Sequence, residues 1–188
     1  MTFKSDKNTI LSKIDKSKKG KIDKPIKSLI KKINKNSNFY TTSSCSGRIV
    51  LLSKPSAKKQ DINWLFKSHK KISFKQINSA LSPLPNSPVW FRFEPLILHI
   101  TAKNLKNAQY LINKSRAIGF KRSGIQSTKN KTAVEIASTE IISTIIADKG
   151  KLLISKNYLK RLIKEANKKL NTNKDKTKKF IHILQEQN

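Results

Sequence analysis

The chain has 188 residues, enough for one domain with its own core, and 36% of them are hydrophobic, low for a compact enzyme but well above a disordered chain. Lysine and arginine number 41 against 11 aspartates and glutamates, a net charge of +30 that calls for a polyanionic partner and for binding that weakens steeply with salt. There is no apolar run of membrane-spanning length and no apolar block after the basic first residues to make a secretory signal, while a single cysteine excludes an internal disulfide and suits a reducing cytoplasm.

The basic groups gather at the ends. Residues 1–35 hold 12 lysines against three aspartates, and residues 151–188 hold 11 basic groups against three acidic ones. This divides a single domain, 1–188, into basic N-terminal helices over 1–35, a central α+β core over 36–150 and a basic C-terminal helix over 151–188. Ile10, Leu11 and Ile14 fall at helical spacing, ahead of a break at 17–21. Asp23 then caps a helix with Pro25 in its first turn and one apolar stripe of Ile26, Leu29, Ile30 and Ile33. The polar stretch from Thr41 to Arg48, TTSSCSGR, reads as a loop or turn leading into a buried strand over 48–53. After a turn at 55–61, residues 62–68 supply its antiparallel partner. Ser73 caps a helix running through Leu81, with Phe74, Ile77, Ala80 and Leu81 on one side.

Val89 to Ile100 reads as one long strand, with Phe91 and Phe93 facing one way and Arg92 and Glu94 the other; Pro95 lacks an N–H and imposes a bulge or bend. Thr101 or Asn104 opens the next helix, with Leu105, Ala108, Leu111, Ile112, Ser115 and Ile118 in phase, and Gly119 ends it in a left-handed conformation. Residues 123–128 and 132–138 flank a hairpin turn at Lys129–Asn130, 141–147 adds a strand, and Ser155 caps a last helix with Tyr158, Leu159, Leu162, Ile163, Ala166 and Leu170 turned inward. The order is α+β: an antiparallel or mixed sheet with helices packed on it.

Codon bias toward A and T would account for lysine over arginine but not for the scarcity of acidic residues, so nucleic acid is the expected partner, ahead of a membrane surface. The five glycines are too far apart for a Gly-rich dinucleotide-binding loop of the Rossmann kind, so any nucleotide-like cofactor must be held another way. One cysteine and three scattered histidines argue against a metal site. Cys45 reads as a small apolar group rather than a nucleophile. His69, beside three lysines, is a candidate proton carrier. His99 lies among apolar neighbours and reads as a satisfied buried histidine. Glu94 needs an arginine, such as Arg48 or Arg92, or backbone donors to stay ionised, and such a pair is more often structural than catalytic. Gly47 and Gly124 each follow a serine, in turns that either are plain turns, the reading favoured for each alone, or aim N–H groups at an anion.

Together the segments TTSSCSGRIVLL (41–52), Trp64 followed by SHK (68–70), FRFEPLILHI (91–100), GFKRSGI (119–125) and KGKLLISKNYL (149–159) resemble the tRNA wybutosine-synthesizing protein 3 family of archaea and eukaryotes. The resemblance implies a cytoplasmic enzyme with an α+β fold that is not the Rossmann one. It would transfer a methyl group from S-adenosyl-L-methionine to N4 of 7-(3-amino-3-carboxypropyl)-4-demethylwyosine next to the anticodon of tRNA(Phe). Carried onto this sequence, it suggests a cleft where the two Ser-Gly turns and neighbouring strand ends converge. Ser44, Gly47, Ser123 and Gly124 would hold the cofactor. Arg48, Trp64, His99 and Lys121 would bind the substrate, Trp64 by stacking on the tricycle and Arg48 by holding a carboxylate or phosphate. His69 and Glu94 would be catalytic, His69 taking the proton from N4 or orienting the base. The competing reading is a non-catalytic basic nucleic-acid-binding protein in which residues 41–48 are only a turn.

Overall fold

A computed structural model describes residues 2–12, 22–54 and 61–184; residues 55–60 of the turn expected at 55–61, the break at 17–21 and Ile14 lie outside them. The described chain forms helices α1 (Phe3–Leu11), α2 (Lys27–Lys35), α3 (Phe74–Ala80), α4 (Leu105–Ala117) and α5 (Lys156–Ile183). Its strands are β1 (Phe39–Cys45), β2 (Arg48–Ser53), β3 (Asn63–Ser68), β4 (Val89–Glu94), β5 (Ile97–Ala102), β6 (Gly124–Ser127), β7 (Thr132–Ala137), β8 (Ile142–Asp148) and β9 (Lys151–Leu152). They build two sheets, ordered β1-β5-β7-β6 and β3-β2-β4-β8-β9, with every pairing antiparallel. The α+β class is as expected; the split into two sheets was not foreseen.

Two compact units result. The first takes residues 1–46, 96–139 and 173–188; the second takes 47–95 and 140–172. The chain therefore passes from one to the other four times, and α5 contributes its first part to the second unit and its last turns to the first.

In the first unit, Phe39, Leu98, Ile100, Val134 and Ile136 line one face of the four-stranded sheet. The stripe Ile26, Leu29, Ile30 and Ile33 buries there as the periodicity requires, together with Ala108, Leu111 and Ile112 of α4 and Phe180 of α5. Each such side chain contributes about 1.5–3 kcal/mol when fully buried. Phe180 meets the Phe120 ring edge-on, 5.8 Å between centroids. Asn104 caps α4, and Gly119 beyond its end has φ +101°. A side chain there would be strained and would meet Lys176 Cε at 2.8 Å, where Lys176 Nζ donates to the Gly119 carbonyl.

Three expectations are corrected here. Residues 39–45 are a strand, not a loop: β1 borrows its ladder from β5, with an irregularity between Thr41 and Ser43. Asp23 makes no capping bond; its buried carboxylate accepts from both the N–H and the hydroxyl of Ser46, each at 3.0 Å. The long strand through Pro95 is two strands in different sheets, because the missing N–H ends one ladder and Leu96 is held elsewhere. There Asn173 of α5, fully buried, accepts from Leu96 N–H at 2.7 Å and donates to the Ser46 carbonyl at 2.9 Å.

Helix α1 buries none of its own residues. It is held at Tyr40, whose ring packs on Phe3 and whose hydroxyl donates to the Asp6 carboxylate, itself paired with Lys131 at 2.7 Å. Burial and then the Asp6 hydrogen bond push the Tyr40 pKa up. A raised tyrosine pKa means that the neutral phenol stabilises the fold. That contribution is present below about pH 10 and is lost as pH rises through the folded-state value. An alkaline titration of tyrosinate absorbance should show Tyr40 ionising earlier in Asp6→Asn than in the parent chain. An unchanged midpoint would assign the whole shift to burial.

In the second unit, Ile49, Leu51, Val89, Phe91, Phe93 and Ile146 face the helical layer, meeting Ile77 and Leu81 around α3 and Leu159, Leu162, Ile163, Ala166 and Leu170 of α5. Ser73 and Gln76 form a reciprocal capping box at α3, and Ser155 caps α5 by accepting from Tyr158 N–H. Tyr158 itself is exposed, a further correction: it falls one position off the stripe that begins at Leu159. Asn167 clamps the backbone of Ile72, accepting from its N–H at 2.9 Å and donating to its carbonyl at 2.8 Å.

Candidate functional site

The Ser46–Gly47 turn sets up the site. Ser46 has its N–H, hydroxyl and carbonyl engaged by Asp23 and Asn173. Gly47 follows with φ +91°, a conformation open to glycine at little cost, and Arg48 heads β2.

Alternation then sorts β2 and β4. Ile49, Leu51, Phe91 and Phe93 face the core, while Arg48, Val50, Leu52, Trp90, Arg92 and Glu94 face the other way. Register adds Trp64 opposite Leu52, Lys67 opposite Val50, Ser143 opposite Arg92 and Ile145 opposite Trp90. The outer face of the five-stranded sheet thus gathers two tryptophans and three cations around one carboxylate.

Its centre is the cross-strand pair Arg48 and Glu94, with Nε 2.6 Å from Oε2. The same guanidinium lies over the Trp64 ring, 4.7 Å from its centroid, and Lys67 Nζ is 5.9 Å from that ring. A second stack repeats on β4, with the Arg92 guanidinium 5.0 Å from the Trp90 ring. The two arginines differ in one respect. Arg48 is paired with Glu94, whereas the Nε of Arg92 is buried without a hydrogen-bond partner among the described residues. A buried orphan donor costs about 1–3 kcal/mol and marks a place where an acceptor would be welcome. Just beyond β3, His69 Nδ1 lies 2.8 Å from the Gly47 carbonyl. A carbonyl only accepts, so Nδ1 carries the proton and, in the neutral ring, Nε2 has the lone pair.

The first unit presents a different polar row. Ser43, His99, Glu135 and Gly124 are in register across all four strands, on the face away from the core. Ser43 Oγ is 2.7 Å from His99 Nδ1, and His99 Nε2 is 3.1 Å from Glu135 Oε2. His99 is therefore not the apolar-buried histidine its neighbours suggested; its side chain is 41% exposed and both ring nitrogens are engaged.

Of the residues singled out from sequence, Gly47, Arg48, Trp64, His69 and Glu94 fall in the second unit, where Arg48, Glu94 and Trp64 are in contact and Gly47 meets His69. Ser44, His99, Lys121, Ser123 and Gly124 fall in the first. Ser44 is half-buried on β1 opposite Leu98, and Lys121 is exposed in a turn. Ser123 is 1% exposed, its hydroxyl donating to the Phe120 carbonyl and accepting from Ala137 N–H. Gly124 opens β6 with clear space beside its Cα. Sequence reading left out Trp90 and Lys67, held Arg92 only as an alternative partner of Glu94, and missed Ser43 and Glu135. The alternation of VWFRFE carried the signal for Trp90 and Arg92, which share the face of Glu94; the partners of His99 depend on register and had no local signal.

Comparison with known proteins bears on what these faces do. The family described as Methyltransferase TYW3 matches residues 5–186. The bovine (Bos taurus) tRNA wybutosine-synthesizing protein 3 homolog is 35% identical over 188 residues, covering 97% of this chain and 72% of its own. A Pyrococcus furiosus protein named tRNA(Phe) 7-((3-amino-3-carboxypropyl)-4-demethylwyosine(37)-N(4))-methyltransferase 1 is 37% identical over 165 residues, covering 87% of this chain and 84% of its own. The solved structure of the PH1069 protein from Pyrococcus horikoshii superposes with a TM-score of 0.90 at 34% identity, over 97% of this chain and 96% of that one.

Proposed function

This chain belongs to the Methyltransferase TYW3 family, and from that membership we propose that it methylates N4 of 7-(3-amino-3-carboxypropyl)-4-demethylwyosine at position 37 of tRNA(Phe), with S-adenosyl-L-methionine as donor. The observation that carries the siting is the pair of arginine–tryptophan stacks on the outer face of the five-stranded sheet.

Both molecules in this reaction present a flat heterocycle and an amino-carboxypropyl group ending in a carboxylate. The outer face offers two flat rings, each with a guanidinium. Arg92, with its orphan Nε, and Trp90 fit the carboxylate and the ring of the cofactor, and would hold them. When bound, S-adenosyl-L-methionine supplies an electrophilic methyl group on a sulfonium. Trp64 would stack on the tricyclic base, and the terminal nitrogens of Arg48 would fork onto its carboxylate or a phosphate. Glu94 acts through Arg48: it holds Nε and so fixes the direction of the fork. His69, fixed through Nδ1 to the Gly47 carbonyl, would take the proton that N4 sheds as its bond to the methyl carbon forms and that carbon's bond to the sulfonium breaks, or would orient the base. Most of the acceleration in such a transfer comes from in-line placement, with modest help from the base. The charge of +30 serves a tRNA substrate, and the proposed place of work is the cytoplasm; among the described residues no helix is long and apolar enough to cross a membrane.

The test is direct. Methyl-labelled S-adenosyl-L-methionine is incubated with the chain and tRNA(Phe) carrying the demethylated tricycle, and digested nucleosides are analysed. Label on N4 is the expected result. Tight binding of that tRNA with no label on the tricycle would overturn the enzyme reading in favour of a non-catalytic RNA-binding protein.

A further inference from the structure

The second unit carries another basic surface, which the proposed chemistry does not use. An open cleft of about 510 Å³ runs between the start of α3 and the first part of α5, and its walls include Lys71, Phe74, Lys160, Lys164, Lys168 and Asn171. No acidic residue lines it. Lys156, Lys160, Lys164 and Lys168 recur every fourth residue along α5, which places them in one row, about 6 Å from root to root. They are exposed, while the opposite side of the helix buries Leu159, Leu162, Ile163, Ala166 and Leu170. The adjacent carboxylate, Glu165, pairs with Lys169, outside the row. Lys160 Nζ lies 5.5 Å from the ring of Phe74, a half-buried aromatic in the cleft wall.

Like charges at this spacing destabilise a helix by about 0.2–0.5 kcal/mol per pair. A row of four with no carboxylate in the cleft has its counterion elsewhere, and a polynucleotide strand, with one negative charge per nucleotide, supplies a matching row of anions. We propose that this lysine row and the cleft beside it bind the sugar–phosphate backbone of RNA, with Phe74 offering a ring on which a base or ribose can rest. As the partner is taken to be tRNA(Phe), the assignment rests on the methyltransferase reading above. Helix α5 covers the core face of the five-stranded sheet, so its lysine row and the Arg48–Trp64 face lie on opposite surfaces of the second unit. The row therefore grips a part of the tRNA away from the modified nucleotide, and it contributes to binding rather than to chemistry.

The test is the triple variant Lys160→Gln/Lys164→Gln/Lys168→Gln, compared with the control Lys103→Gln/Lys106→Gln/Lys129→Gln, which removes the same charge from exposed positions of the first unit. Circular dichroism first establishes that both fold. Direct binding of unmodified tRNA(Phe) is then measured as a function of salt, and methyl transfer separately. The cleft variant should bind roughly 10- to 100-fold more weakly, its log–log salt slope should fall by about two to three, and its KM should rise with kcat unchanged. The control should change each of these far less. Equal weakening in both variants, or an unchanged affinity and slope in the cleft variant, overturns the proposal. Because binding is read without turnover, an inactive parent chain whose tRNA binding is lost in the cleft variant alone would uphold the cleft while removing the enzyme reading.

Discussion

Replacing Arg48 with alanine is expected to lower kcat/KM for methyl transfer by about 10- to 150-fold, the equivalent of one hydrogen bond to a charged group at about 1.5–3 kcal/mol. The fold should lose much less. The Arg48 and Glu94 side chains are 28% and 32% exposed, so their ion pair is worth at most about 1 kcal/mol, and the stack on Trp64 adds about 0.5–1 kcal/mol. Thermal unfolding of the variant should accordingly stay within a few degrees of the parent. Arg48→Lys keeps the charge but loses the planar fork and much of the stacking, and should recover only part of the activity. Glu94→Gln still accepts from Nε and should be milder than either. Methylation at the parental rate by a folded Arg48→Ala chain would make Arg48 a structural partner of Glu94 and nothing more.

The largest loss of stability from a single polar side chain is expected at Asn173. Its carboxamide is fully buried and bridges two backbone groups far apart in sequence, Leu96 N–H and Ser46 C=O. Alanine leaves both without partners in places that water does not reach. At about 1–3 kcal/mol for each buried orphan, the cost is about 2–6 kcal/mol, or roughly 4–24 °C in Tm for a chain of this size. Asn167→Ala exposes a similar clamp on Ile72, but at a half-buried position, and should cost less. Differential scanning calorimetry of the two variants decides the matter: equal and small shifts would mean that solvent or a backbone adjustment satisfies Leu96 and Ser46.

The two asparagines also show where a sequence stops being readable. The helices announced themselves, because Ile26, Leu29, Ile30 and Ile33, or Leu159, Leu162, Ile163, Ala166 and Leu170, repeat at the helical period on contiguous chain. Strand β2 was legible as an apolar run, and the α3 cap as a serine before a periodic segment. Strand β1 was not, because TTSSC has no apolar alternation; it is a strand only because β5, more than fifty residues away, supplies its hydrogen bonds. The division into two sheets was hidden for the same reason, since nothing local says that β8 pairs with β4 while β7 pairs with β5. At the site, the setting of Glu94 in an apolar strand called for an arginine or backbone donors, and register brought Arg48 to it rather than Arg92. The stacking of Arg92 on Trp90 follows from two residues of one strand whose faces were already assigned, so it was within reach of the sequence. The Ser43–His99–Glu135 row was not, because it needs the register of three strands.

The fourfold passage of the chain between the units has a consequence for how the protein comes off the ribosome. Strands β2 and β4 are made early, yet the α5 residues that cover them, from Leu159 to Leu170, are among the last to be joined. At roughly 5–20 residues per second, the hundred-odd residues between β2 and the end of its covering helix take on the order of 5–20 s to emerge. For that interval the second core cannot close fully, and the nascent chain leaves Ile49, Leu51, Phe91 and Phe93 without their α5 cover. Completion of the second unit therefore waits for α5, although its first strands are made early.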